Sequence, residues 1–431
     1  MEKSSANALS ELFLAQSELI GEGFESWVNS RRSDFIASFM LGGIPSSKDE
    51  RYRHTPLGEL FSQPEYETYF VPQNIEPLDA LPSGAALSVE VENGFCKTEC
   101  TQLENGIVYG SLRGAMERFP QLLRKYYNSV ADNDTDSLAA LSSAFMQDGV
   151  FVYVPAGVRY ERGLIIDDRY GSQDDAQMCF SRMLVVLERD AAIDISLVHR
   201  GGGHTRFLID AVRETVLGEG SELDFTEINI LGERSAVVTG SYMVQDAASR
   251  SRYLLCDLGC SLSRYNLRND LNAPRAESEL YGLYVATGTQ HADIAVNMRH
   301  NAPECKSRQI VKGIASDDAV GVFSGLVYVA PDAQKTDAGQ LNRNILVSPA
   351  ARIYTEPQLE IYADDVKCSH GAAVGQLDDM AVYYMRQRGI SLQDARRLQL
   401  SGFVYEIIGK CRGSELRDFM HELTDAKIEK L

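Results

Sequence analysis

The chain has 431 residues, with 42 Lys and Arg against 61 Asp and Glu, a formal charge of −19, and 44% hydrophobic residues. The acidic balance excludes the basic footprint of a nucleic-acid binder, and the hydrophobic fraction excludes a disordered chain. At about 150 residues per domain the length allows roughly three domains or one large one.

The opening section reads as helix. Leu9, Leu12, Phe13, Leu19 and Ile20 fall on one side of a 3.6-residue period, and Phe24, Trp27, Val28, Phe35 and Phe39 repeat it. Gly42, Gly43 and Pro45 stop the pattern. Pro64, Pro72, Pro77 and Pro82 make the next stretch extended and irregular. A second helix is predicted over Ala115–Val130, with Met116, Phe119, Leu122, Leu123 and Tyr126 on one face, and a third over Ser137–Met146. The first twenty residues lack a basic start followed by an apolar run, and no stretch approaches the ~18 apolar residues of a membrane span. A soluble, cytoplasmic protein with no membrane partner is expected.

From about Gly149 the period changes. Short runs rich in Val, Ile, Phe and Leu, such as Phe151–Val154, Met183–Leu187, Ala192–Val198, Leu223–Ile230, Glu279–Ala286 and Val320–Val329, are broken by Gly, Asp, Asn and Ser. That is the signature of strand and turn. A dozen such strands with no long helix between them exclude a doubly wound α/β sheet and leave a sandwich, a barrel or a β-helix. Small residues at Ala191, Ser221, Ala248 and Ala276 recur at spacings of 30, 27 and 28, which favours stacked rungs.

From Asp378 the chain is helical again. Asp378 is placed as a helix cap, with Leu377 before it and Val382 within it as a hydrophobic staple. Gly389 ends that helix, and Ser391 with Asp394 opens another reaching about Ser401. Leu416, Phe419, Met420 and Leu423 line a last one. A strip of ~50 residues cannot bury these faces alone, so they pack on the β part or on another protein.

The familiar catalytic patterns are missing. The sequence has no Gly-x-x-x-x-Gly-Lys-Ser/Thr loop, no Gly-x-Ser-x-Gly elbow and no His-Glu-x-x-His helix. Gly201-Gly202-Gly203-His204 reads as a turn. Eight cysteines are too few for a disulfide scaffold and are expected to stay reduced. Cys96/Cys100 and Cys256/Cys260 are spaced Cys-x-x-x-Cys, never Cys-x-x-Cys, and Cys256 and Cys260 read as small core residues or as a structural zinc site. His291, Asp293 and His300 have the spacing of a metal site in a β-helix or cupin-like enzyme, and equally of strand-edge residues bonded to turns. The densest polar chemistry is Gln358–Gly371, where Cys368 and His370 lie two residues apart on an extended segment and so share a face. Both side chains suit iron, copper or zinc, and both are equally at home as a buried thiol and a hydrogen-bonded imidazole.

This region resembles the SufB/SufD family of iron–sulfur cluster assembly proteins. The resemblance runs from Asp148-Gly149 to the C-terminal helices, and more loosely to Gly43-Ile44-Pro45 and Arg53-His54-Thr55. It is carried by His300–Gly313, Val322-Phe323-Ser324-Gly325, Ala333–Ala338 with Gln340, Pro357–Ile361, Asp364–Gly371, Val374–Asp378 and Arg388-Gly389-Ile390. Asp-Asp-Val-Lys-Cys-Ser-His-Gly at 364–371 is similar to the SufD branch, and the cysteine of the SufB branch is missing. The resemblance implies a mainly β protein, a right-handed parallel β-helix over 149–377 between an N-terminal helical region (1–148) and a C-terminal helical domain (378–431). It also implies a non-enzymatic scaffold in a complex with a SufB-like paralogue and a SufC-like ATPase docked on the C-terminal helices, or a homodimer when alone. His370, with Cys368 beside it, matches the family's ligand or iron-entry residue for a transient iron–sulfur cluster at the paralogue interface. The resemblance leaves open a reduced flavin in the full complex.

Overall fold

The computed structural model describes the chain except residues 1, 56, 62–66, 69–74, 76–77, 83, 173–175, 202 and 204–205. Pro64, Pro72, Pro77, Gly202 and His204 therefore lie outside the described residues. Helices α1 (Glu2–Gly21) and α2 (Ser26–Gly42) open the chain. α2 stops at Gly43, whose φ of 67° favours a residue without a Cβ. After α3 (Leu57–Phe61) come the short strands β1 (Glu67–Thr68), β2 (Leu87–Glu92), β3 (Phe95–Cys96), β4 (Thr101–Gln102) and β5 (Val108–Ser111). The single helix predicted over Ala115–Val130 is two, α4 (Leu112–Arg118) and α5 (Pro120–Tyr126). Pro120 is the cause: with no N–H to donate it can begin a helix but not continue one. α6 (Ser137–Phe145) is capped by Asp136, which accepts from the Leu138 and Ala139 N–H groups.

The body follows as β6 (Val150–Val154), β7 (Arg159–Tyr170), β8 (Ala176–Leu187), β9 (Ala192–Gly201), β10 (Arg206–Leu217), β11 (Glu222–Leu231), β12 (Ala236–Gln245) and β13 (Arg250–Asp257). It continues with β14 (Leu262–Leu271), β15 (Glu277–Ala286), β16 (His291–His300), β17 (Lys306–Ala315), β18 (Val320–Val329), β19 (Asp337–Leu346), β20 (Arg352–Ile361) and β21 (Lys367–Gly375). Even-numbered strands pair in parallel in one sheet and odd-numbered strands in the other. The result is a parallel β-solenoid of about seven turns, which excludes the sandwich and the barrel. Register partners in the odd sheet run Ala192, Glu222, Arg250, Glu277, Lys306, Asp337 and Lys367.

The small-residue repeat is a real column with one member moved. Ala191, Ser221, Ser249, Ala276, Cys305 and Thr336 stack, all buried, at one corner. Ala248 stands one place earlier, with Asp190, Gly220, Arg275, Glu304 and Lys335, and all six have positive φ. Each of these six donates its N–H to a corner carbonyl of the next turn, as Ala248 does to Pro274 O at 3.0 Å, and that bond sustains an unusual conformation.

Inside, residues such as Ile166, Val185, Phe207, Tyr265, Ile294 and Phe323 fill the lumen, each fully buried side chain contributing roughly 1.5–3 kcal/mol. The outer face of the odd sheet carries the C-terminal helices α7 (Asp379–Gln387), α8 (Leu392–Ile408) and α9 (Ser414–Ile428). Leu400, Val404, Ile407, Leu416 and Met420 pack there on Ile228, Leu254, Leu283 and Ile314. Lys312, buried beneath α8, donates to Phe403 O at 2.9 Å and to Glu406 Oε2 at 2.6 Å. Asp378 caps α7 as expected, and Ser391 and Asp394 form the predicted start of α8. α8 runs past Ser401 to Ile408 because that hydroxyl is satisfied by Asp425 of α9, 2.9 Å away.

Leu283→Ala should cost ~2–5 kcal/mol, since the side chain is fully buried between sheet and helices. Urea unfolding followed by circular dichroism measures it. A loss under about 1 kcal/mol would mean the helices are not packed as described.

Candidate functional site

The two ends of the solenoid differ. At the start, β2 extends the odd sheet beside β7, and β5 closes the even sheet antiparallel to β6. At the other end, β20 pairs with β18 and β21 with β19, and among the described residues no strand covers their outer edges. One turn earlier, Ala338, Gln340, Asn342 and Asn344 face the lumen and are buried. Their register partners are Cys368, His370, Ala372 and Val374. Cys368 is half-buried and the other three are exposed. Across the lumen, Phe323, Gly325, Val327 and Val329 are followed by Thr355, Pro357, Leu359 and Ile361. Ile361 at 39% exposure, Val374 at 42% and Tyr362 at 60% give this open end an apolar rim. A free edge of this kind is a template for another chain.

Cys368 and His370 do share a face, and it is the lumen face. Cys368 packs on the cluster of Val327, Ala338 and Ala363. Burial pushes its thiol up, so it is protonated at neutral pH and a poor nucleophile. His370 stands exposed beside it. Among the described residues no group of three or more His, Cys, Asp and Glu side chains is placed to hold a metal ion. Cys368 and His370 thus stand on one face at the open edge.

His291, Asp293 and His300 do not form a metal site. All three lie on β16, where residues an even number apart share a face, so His300 points away from the other two. His300 faces the lumen with Nε2 2.8 Å from Ser307 Oγ. Asp293 faces outward and is consumed by Arg264 and by the Thr55 hydroxyl. The neighbouring His54 stacks on Tyr354 at 3.9 Å and lies 3.2 Å from Glu356 Oε1. The Arg53-His54-Thr55 block is therefore the pin that holds the N-terminal region on the even sheet. The metal-enzyme reading of these residues falls with this geometry. Cys256 and Cys260 also part company: Cys256 packs beneath the C-terminal helices, and Cys260 sits in a corner, its sulfur accepting from Asn229 and donating to Leu262 O. Burial pushes Cys256 up to about 12 and raises Cys260 as well.

The sequence reading missed a charged network inside the lumen. His199 Nδ1 lies 2.7 Å from Asp168 Oδ2 and Nε2 3.2 Å from Glu227 Oε1, and Glu227 pairs with Arg213. Burial alone would lower His199, but the hydrogen bonds to the two carboxylates leave it raised. Glu227 is held down to about 2, since Arg213 overcomes the burial that would raise it. The only available signal was polar residues at inward, alternate positions of strands whose inward direction was not yet known.

On the C-terminal helices several large side chains stand exposed among charged ones: Met380 at 75%, Tyr383 at 60%, Tyr384 at 59% and Leu398 at 50%. Where α8 and α9 meet the last turns, a groove of about 890 Å³ is lined by Leu346, Val347, Leu377, Leu392 and Leu431 among others. No helix of the described residues is long and apolar enough to cross a membrane.

Two families match the chain. Residues 3–166 match the SufBD protein N-terminal region, and residues 169–403 match the SufBD core domain of the SUF system for FeS cluster assembly. An iron–sulfur cluster assembly SufBD family protein of Synechocystis is 30% identical over 402 residues, covering 88% of this chain and 86% of that protein. Protein ABCI7, chloroplastic, of Arabidopsis thaliana is 28% identical over 87% of this chain and 80% of its own length. The iron–sulfur cluster assembly protein SufD of Escherichia coli is 39% identical over 175 residues, 41% of each chain.

Burial pushes His300 down to about 4, while an unfolded histidine titrates near 6.5. Between these values the unfolded chain binds a proton that the native chain refuses, so stability falls as pH drops from about 6.5 to about 4, by up to ~3 kcal/mol. His300→Gln removes that dependence. The stability advantage of the wild type over the variant should shrink through this window; an advantage constant with pH would show that the native imidazole is not held neutral.

Proposed function

The chain belongs to the SufBD family of iron–sulfur cluster assembly proteins, and on that premise we propose that it is a non-enzymatic scaffold subunit of a SUF assembly complex. In this reading the open end of the solenoid mates with a SufB-like paralogue, and the C-terminal helices carry a SufC-like ATPase. The observation that supports it most is the bare last turn: on β21, His370, Ala372 and Val374 lie exposed at lumen-facing positions whose partners one turn earlier are buried. Covering that edge supplies partners to unpaired backbone groups and removes apolar side chains from water.

A nascent cluster is cargo here. His370 offers a ring nitrogen, and Cys368, its thiol raised by burial, provides a thiolate only when iron displaces its proton. Two donors leave positions for sulfide and for ligands from the paralogue, and a cluster so loosely held can be passed on. The motif at 364–371 supports the SufD-like role in that pair. The division at 149 and 378, cytoplasmic location, self-pairing through the same edge when no paralogue is present, and a reduced flavin in the full complex belong to this reading as well.

We assign the ATPase to α7 and α8 because they leave the large side chains Met380, Tyr383, Tyr384 and Leu398 exposed. Truncation after Asp378 would strip the helices from the odd sheet and bare Leu283 and Ile314, so point changes test docking more cleanly. Tyr383→Ala with Tyr384→Ala should weaken ATPase binding at least about tenfold while the solenoid unfolds as before; unchanged affinity by calorimetry would place the ATPase elsewhere. In the assembled complex, His370→Ala should lower bound iron severalfold without altering subunit composition. Equal iron in variant and wild type would remove His370 from cluster assembly.

A further inference from the structure

We propose that Gln340 is the positioning residue for His370: its side-chain oxygen accepts one ring N–H, fixing which imidazole nitrogen faces the open end. The two are register neighbours on β19 and β21, about 4.8 Å apart as adjacent strands are. Gln340 is only 3% exposed. Its amide nitrogen is already committed inward, donating to Gln309 Oε1 at 3.0 Å. Gln309 is the register neighbour on the preceding turn. An amide whose nitrogen donates to the inner turn turns its oxygen toward the outer one. That oxygen has no hydrogen-bond partner, although it is buried, a condition native proteins rarely leave unanswered.

Gly325 on the facing sheet keeps the amide where it is. A Cβ there would come within 2.1 Å of Gln340 Nε2 and 2.7 Å of its Cδ, so any other residue would displace the side chain. This gives a shared reason for two sequence blocks, Phe323-Ser324-Gly325 and Gln340, that the cluster chemistry itself does not use. No hydrogen bond joins Gln340 to His370 in this structure, and a rotation of the exposed imidazole supplies it. The rival donor is the Thr355 hydroxyl, also buried and unpartnered, on the strand beside Gly325.

The consequence rests on the proposed function in one respect only, what the second ring nitrogen does. An imidazole that ligates metal usually gives its other N–H to an acceptor, which sets the tautomer and raises its basicity. The tautomer itself is measurable without metal. In the full chain, ¹⁵N-histidine NMR at alkaline pH resolves the neutral tautomers, and His370→Asn assigns the signal among the seven histidines. Wild type should show one dominant tautomer at His370. Gln340→Met should change the ratio with the circular dichroism spectrum unaltered, and Gln340→Glu, which keeps an acceptor, should restore it. The same ratio in wild type and Gln340→Met overturns the proposal, as it would if Thr355 were the partner. Should the methionine variant fail to fold, Gln340→Glu decides: an altered tautomer there overturns it. Titration of the same proteins with Co²⁺ should show affinity at least about tenfold weaker in Gln340→Met. Binding of Co²⁺ that ignores His370→Asn would sink the iron-entry reading while the tautomer result still stands or falls alone.

Discussion

A parallel solenoid cannot stop without leaving two strand edges open, and nearly everything distinctive in this chain follows from how its ends are treated. Each turn passes its backbone donors and acceptors to the next, so the bonds within the stack are satisfied until the last turn. At the first turn the chain solves the problem itself, folding β2 and β5 over the edges. At the last turn it does not. β20 and β21 keep their lumen-facing side chains in register but only partly covered, with His370, Ala372, Val374 and Ile361 exposed.

The remaining surfaces of the solenoid are mostly spoken for. The even sheet is covered by the N-terminal region, anchored by Thr55 on Asp293 and by His54 on Tyr354. The odd sheet is covered by the C-terminal helices, and Lys427 of α9 reaches into a corner to bond Leu258 O and, at 2.9 Å, Gln290 Oε1. Burial lowers that lysine to about 8, so the tie has a cost that the surrounding apolar contacts offset. With both flanks occupied, the open end and the exposed side chains of α7 and α8 are the separate surfaces to which the proposed function assigns its two partners.

Much of this was legible from residue types. Gly43, Asp378, Gly389 and the Ser391–Asp394 pair have local effects that do not depend on the fold, and each helix boundary they predict is where the sequence placed it. The strands that escaped notice, β10, β14 and β17, carry charges inside buried segments. Glu214 is hidden because Arg182 and the N–H groups of Asn128, Val130 and Ala131 surround it, and Arg264 because Asp293 meets it from the next turn. Apolar runs cannot announce such strands. The pairing of Cys368 with His370 followed from strand parity, and the same parity, applied to residues 293 and 300, separates the residues of the rival metal site. That the shared face is the lumen required the register, which only the fold supplies.

The claim on which the account turns is that the last turn is a mating edge. Replacing Val374 with a photo-crosslinking residue and co-expressing the chain with a SufB-like subunit tests it directly, with Leu41, exposed on the N-terminal helices at 90%, as the control position. The account predicts an irradiation-dependent adduct to the SufB-like chain from position 374 and none from position 41. An assembled complex that gave no adduct from position 374 would contradict it.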